Sequence, residues 1–167
     1  MEKYTFKPYE EFGESLHFEE PAVAYSAGTS GMSLQHFFEY YMQLVKSTAM
    51  ELRDLSVVGS FLELLKKATE IRAEVMADII GVSKSTYYRL LKDDTLDSHA
   101  VDAVASFSKL WHYGLLVFDK DVVSFKAWLH TQNENLGSIK PLQLLQSENG
   151  RREVEKALDR IEYSVYG

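Results

Sequence analysis

Apolar residues recur at helical spacing over most of this chain. In LQHFFEYYMQLV, Leu34, Phe37, Phe38, Tyr41 and Leu44 with Val45 share one stripe, and Ser33 stands where it can cap the helix. A stripe of this kind belongs to a core or a dimer interface rather than to a ligand site. Phe61, Leu62, Leu64 and Leu65 define a second helix, with Lys66 and Lys67 near its end on the favourable side of the helix dipole. His99–Phe118 reads as a long amphipathic helix carried by Val101, Val104, Phe107, Leu110, Trp111 and Leu115. Asp119 is placed to cap the next helix, whose inward positions are Val122, Phe125, Trp128 and Leu129.

Asn133, Asn135 and Gly137 end that helix, and Pro141 opens a short one at its preferred first-turn position. Ser147 caps the last helix, with Val154, Leu158, Ile161 and Val165 as its apolar stripe and Arg151, Arg152, Lys156 and Arg160 on or near the other side. Gly150 in its first turn costs up to about 1 kcal/mol against Ala. A close backbone approach or a surface loop position would each account for it. The predicted fold class is all-α.

Between these helices the pattern becomes more specific. IRAEVMADIIGVSKSTYYRLLKDD reads as helix, tight turn, helix. Ala77 is small enough for two helices to cross closely, and Gly81 admits a left-handed turn conformation. Val82 fills the turn, Ser83 caps the second helix, and Met76, Ile80, Tyr87 and Leu90 supply inward positions. This spacing is that of a helix-turn-helix with Ser83–Lys92 as the recognition helix. Lys84, Ser85, Tyr88, Arg89 and Lys92 then fall on its outward side, three of them basic and none acidic. Such side chains contact phosphates, and Arg pairs bidentately with guanine. A solvated face on an ordinary helical hairpin is the plainer alternative. Asp93 and Asp94 weaken the electrostatics, and Tyr87 occupies a position usually held by Leu, Val or Ile.

Composition adjusts this picture in two ways. The net charge is −7, but Glu2, Glu10, Glu11, Glu14, Glu19 and Glu20 against Lys3 and Lys7 place much of it in the first 35 residues. A basic surface is therefore permitted further on, with weak non-specific DNA affinity as the consequence. The division expected is an acidic arm over 1–32, closed by the small-residue stretch AYSAGTSG, a helical domain over 33–118 with its motif at 71–92, and a C-terminal domain over 119–167. The start of the chain lacks the basic and apolar regions of a signal peptide, and no apolar run approaches the roughly 20 residues that span a bilayer. A cytoplasmic protein is expected.

Enzymatic chemistry has little support. There is no cysteine, so disulfides and thiolate metal sites are excluded. His17, His36, His99, His112 and His130 show no metal-ligand spacing, and no GxGxxG, GxxxxGK[ST] or GxSxG motif is present. No cofactor and no catalytic residue is expected.

Residues 71–167 resemble the Xre/MbcA/ParS antitoxins, in which a helix-turn-helix domain precedes a toxin-binding domain. The resemblance is carried by GVSKSTYYRLL (Gly81–Leu91), AWL (Ala127–Leu129), NENLG (Asn133–Gly137) and KPLQLLQSENGRREVEKALDRIEYSVYG (Lys140–Gly167). Lys140 replaces the family's usual Thr before the proline, and Ser164 stands where Gly is common. The resemblance implies an antitoxin that covers the active site of an NAD-degrading toxin of the RES family and represses its own operon, as a homodimer or larger assembly. It assigns operator contact to Lys84, Ser85, Thr86, Tyr88, Arg89 and Lys92. Toxin contact falls to Asn133, Asn135, Leu136, Gly137, Pro141, Arg151, Arg160, Tyr163, Tyr166 and Gly167. A tail bearing Tyr163 and Tyr166 suits a pocket while keeping hydroxyls for hydrogen bonds; packing of both rings on the body is the alternative. The competing function is a helix-turn-helix regulator whose C-terminal domain serves oligomerisation only. The polar 133–137 turn favours the antitoxin, since an oligomerisation unit needs only an apolar seam.

Overall fold

The computed structural model describes residues 32–92 and 95–165. Among them the chain forms eight α-helices and no strand, so the fold is all-α. The helices are α1 (Leu34–Lys46), α2 (Gly59–Thr69), α3 (Ala73–Ile79), α4 (Lys84–Leu90), α5 (Ser98–Val117), α6 (Val122–His130), α7 (Pro141–Leu144) and α8 (Glu148–Val165). Short 3-10 turns lie at Glu51–Asp54 and Glu134–Leu136. The arm expected over 1–32 lies outside the described residues except for Met32.

Capping chemistry sets several helix starts. Ser33 accepts from the His36 N–H at 3.2 Å, and Asp97 accepts from the Ala100 N–H at 2.8 Å. The stripe on α1 is core: Phe37, Tyr41 and Leu44 are buried, Phe37 stacks on Phe61 of α2 with centroids 5.0 Å apart, and Tyr41 donates to the Ser108 carbonyl. α5 departs from the amphipathic expectation. Besides Val101, Val104, Phe107, Leu110, Trp111 and Leu115, it buries Ala100, Ala103, Ala105, Ser108 and Gly114. A helix buried on several sides needs several partners. α1 and α8 both pack on it, as do the Glu51–Asp54 turn, α3 and α6. α5 and α8 run in the same direction, Ser106 meeting Arg151 and Tyr113 meeting Asp159 and Glu162.

Asp119 does not cap α6. Asp119 and Lys120 take positive φ values of 50° and 66° and reverse the chain, with the Lys120 N–H donating to the Leu115 carbonyl at 2.7 Å. The cap is Asp121, whose Oδ1 accepts from the N–H groups of Val123 and Ser124 at 3.0 and 3.1 Å. The boundary expected at residue 118 falls at the end of α5, and one buried cluster runs from Phe37 to Leu158 across it.

The glycine in the first turn of α8 is explained by a close approach. Gly150 is buried, and a Cβ there would lie 1.9 Å from the Leu144 carbonyl oxygen at the end of α7. Gly150→Ala should therefore destabilise the protein by about 1–3 kcal/mol, as overpacking does, read as a lower urea midpoint.

His112 on α5 is half-buried, with its ring 6.2 Å from that of Tyr41. Burial lowers its pKa from the ordinary 6.5, and the charge of Lys46 lowers it further. Below about pH 6.5 the unfolded chain then binds more protons at this site than the folded one, so stability falls as pH falls. Melting temperatures between pH 7 and pH 5 should drop less steeply in His112→Gln than in the wild type.

Candidate functional site

The turn between α3 and α4 is fixed by backbone chemistry. Gly81 has φ 74°, and the N–H groups of Gly81 and Val82 return to the Asp78 and Ala77 carbonyls at 3.1 and 3.0 Å, closing the end of α3. Ser83 then caps α4, its Oγ accepting from the Thr86 N–H at 3.1 Å. Met76, Ala77, Ile80, Tyr87 and Leu90 are buried, whereas Val82 is half-buried. The Tyr87 ring fills an aliphatic position, and its buried hydroxyl has no hydrogen-bond partner among the described residues. An unsatisfied buried hydroxyl costs about 1–3 kcal/mol.

The face expected to contact DNA is exposed at Lys84, Ser85, Tyr88, Arg89 and Lys92, while Thr86 is half-buried and within hydrogen-bond distance of the Ser83 hydroxyl. α4 ends at Leu90, so Lys92 belongs to the turn after it rather than to the helix. The structure adds one participant to this face. Glu74 in the first turn of α3 forms an ion pair with Lys84. The Lys84 hydrogen bond holds the Glu74 carboxyl below the usual range, and it raises the lysine correspondingly. Nothing in sequence spacing announces this pair, because it depends on how α3 and α4 cross.

The second candidate surface lies in α6–α8. After α6 the Asn133 side chain accepts from the Asn135 N–H at 2.9 Å, and the Asn133 carbonyl accepts from the Ser138 N–H at 2.9 Å. Gly137 closes the turn at φ 69°. Asn135 and Gly137 are exposed and Asn133 half-buried, but Leu136 and Pro141 are buried in the core. Those two hold the turn and α7 in place from beneath.

Ser147 caps α8 as expected, accepting from the Gly150 N–H at 3.0 Å. Val154 and Leu158 are buried and Ile161 is half-buried. Arg160 is exposed, and Tyr163 is 75% exposed. The hydroxyl of Tyr113 lies 2.6 Å from Asp159 and 2.7 Å from Glu162, fastening the C-terminal half of α8 to α5. Burial, and then these two carboxylates, push its pKa far above the usual tyrosine value. Tyr166 and Gly167 lie outside the described residues, as does the side chain of Val165.

Arg151 is the exception among the expected contact residues. Its guanidinium turns inward, donating from Nε to Ser106 Oγ at 2.9 Å and from Nη1 to the carbonyls of Leu145 at 2.7 Å and Ile79 at 3.4 Å. Burial lowers its pKa from the ordinary arginine value. Beside it a groove of about 680 Å³ opens between Gly81, His99, Asp102, Arg151, Arg152 and Glu155. Among the described residues no group of three or more His, Cys, Asp or Glu could hold a metal ion, and no helix is long and apolar enough to cross a membrane.

Residues 115–163 match the family model of the antitoxin Xre/MbcA/ParS C-terminal toxin-binding domain. No curated protein matches the chain. The matched span begins near the end of α5 and takes in α6, the 133–137 turn, α7 and most of α8, ending at the exposed Tyr163. The α3–α4 pair lies outside it. Over this span the chain is similar to the toxin-binding domain of the Xre/MbcA/ParS-type antitoxins.

Proposed function

We propose that this chain is an antitoxin that inhibits an NAD-degrading toxin of the RES type by covering its active site, and that α3–α4 is a helix-turn-helix through which it represses its own operon. The observation that carries the first part is the toxin-binding match over 115–163, laid on a surface where Asn135, Gly137, Arg160 and Tyr163 are exposed. These four, with Asn133 at their edge, are the contacts assigned to the toxin. Leu136, Pro141 and Arg151 support that surface from behind. The RES identity of the toxin comes from the resemblance of Lys140–Gly167 to the family pattern. A toxin that consumes NAD and an operator on DNA both imply a cytoplasmic protein.

The second part is supported by the Gly81 turn, the Ser83 cap and the exposure of Lys84, Ser85, Tyr88, Arg89 and Lys92. Its electrostatics are modest. Glu74 offsets Lys84, and the net charge of −7 opposes approach to phosphate. Operator affinity therefore depends on doubled contacts, supplied by a homodimer or a larger toxin–antitoxin assembly.

Two measurements check this reading. The wild-type chain, co-expressed with the product of its neighbouring reading frame, should co-purify with it and preserve cellular NAD. Tyr163→Ala, at a position too exposed to matter for folding, should weaken that complex about tenfold or more, as loss of an aromatic anchor does; unchanged affinity would remove the tail from the interface. On DNA of its own upstream region, Arg89→Ala should weaken retardation about tenfold, the scale of one arginine–base contact.

A further inference from the structure

We infer that Glu74 and Lys84 act as one unit that reads a G·C base pair in the operator, the lysine donating to guanine and the carboxylate accepting from cytosine. This rests on the helix-turn-helix reading above and names the base pair that the leading end of α4 selects. Lys84 is the first residue of α4, and Glu74 lies in the first turn of α3, 10 residues earlier. The two side chains form an ion pair and are 57% and 52% exposed. The Gly81 and Val82 N–H groups close the turn between the helices and Ser83 caps α4, so the backbone beneath the pair is held in place.

Stability does not account for this pair, because an ion pair so exposed contributes little to folding. On a face that meets DNA, a carboxylate also opposes binding, since every phosphate repels it. That penalty is offset only where the carboxylate finds a donor, and duplex DNA presents donors on its bases and none on its phosphates. In a docked helix-turn-helix the N-terminal residues of the second helix reach base edges in the major groove. Lys84 stands first among them, and its bond to Glu74 sets the carboxylate beside the same edge.

A G·C pair matches this arrangement. Guanine presents N7 and O6 as adjoining acceptors, and cytosine presents its N4 amino group as a donor. O6 and N4 are hydrogen-bonded to each other, so they lie about 2.9 Å apart. An ammonium and a carboxylate already in contact therefore meet both together, Nζ donating to O6 or N7 and a carboxylate oxygen accepting from N4. On an A·T pair the acceptors are split, N7 on one side of the adenine amino group and the thymine O4 on the other, so the ammonium finds one acceptor in place of two. The Lys84 hydrogen bond holds the Glu74 carboxyl below the usual range. At neutral pH the group is thus an acceptor only, and it discriminates an amino group from a carbonyl.

Selection from a random duplex library, followed by retardation of the selected duplexes, tests the assignment with the full-length chain, alone and co-expressed with its neighbouring product. The wild type should fix a G·C pair at one position of each half-site, and exchanging that pair for A·T should weaken retardation about tenfold. Glu74→Ala should lose most of this preference while binding random-sequence DNA more tightly, because one repelling charge is gone. Glu153→Ala removes an equal charge from an exposed pair on α8, and it should keep the wild-type preference. If Glu74→Ala strengthens binding to both duplexes equally and keeps the base preference, Glu74 is an electrostatic brake only and the base-reading assignment is overturned. Selection of A·T at the position sensitive to Glu74 overturns it too. Absence of retardation by the wild type sinks the helix-turn-helix reading together with this one. Retardation that depends on Arg89, with base preferences indifferent to Glu74, sinks this one alone.

Discussion

The constraint on which the structure depends is the burial of α5. Its 20 residues hide apolar and small side chains on several faces, and no single neighbour can cover them. The chain supplies cover from both directions in sequence, α1 from before and α8 from after. That arrangement explains why the C-terminal segment is not an appendage. Val154 and Leu158 complete a core begun by Phe37 and Tyr41, and the toxin-binding match itself starts inside α5. The surface of the matched span rests on that helix. The polar contacts of Tyr113 with Asp159 and Glu162, and of Ser106 with Arg151, fix how α8 lies along it.

Local chemistry makes much of this legible in the sequence. The stripes name buried positions at Phe37, Tyr41 and Leu44 of α1, Val122, Phe125 and Leu129 of α6, and Val154 and Leu158 of α8. Trp128 and Ile161, by contrast, are half-buried, and α5 is buried beyond its stripe. The caps at Ser33, Ser83 and Ser147 follow from short side-chain oxygens just ahead of an apolar-periodic run. Gly81 is readable because a left-handed turn leaves few residues to choose from. Sequence alone misplaces the cap of α6 by two residues because Asp119 and Asp121 are chemically equivalent. Only the reversal at Asp119 and Lys120, set by the packing of α6 on α5, decides between them.

The candidate surfaces are less legible, for a related reason. Spacing on one helix says which side chains share a face, but not what crosses that face. Arg151 sits with Arg152 on the polar side of α8, yet it turns inward because three acceptors from α3, α5 and the end of α7 converge on it. Leu136 lies in a polar turn and is nevertheless buried, since it ties that turn to the core. Glu74 and Lys84 belong to different helices, and their pairing emerges only once α3 and α4 cross. In each case the missing information is tertiary, and in each case it moves a residue from the surface to a supporting role or the reverse.

The two surfaces also differ in how their physics tolerates isolation. The C-terminal one offers an exposed aromatic and a preformed turn, so the toxin contact proposed for it requires no second copy. The α4 face offers few net positive charges on a molecule of charge −7, one of them offset by Glu74. The phosphates that one copy can neutralise are few, and each adds only about one unit to the slope of affinity against salt. In the operator reading proposed above, an assembly that doubles this face would change affinity far more than any strengthening within one copy. The turn that sets this face is held by its own backbone, through the Gly81 and Val82 N–H groups, with the Arg151 bond to the Ile79 carbonyl beside them.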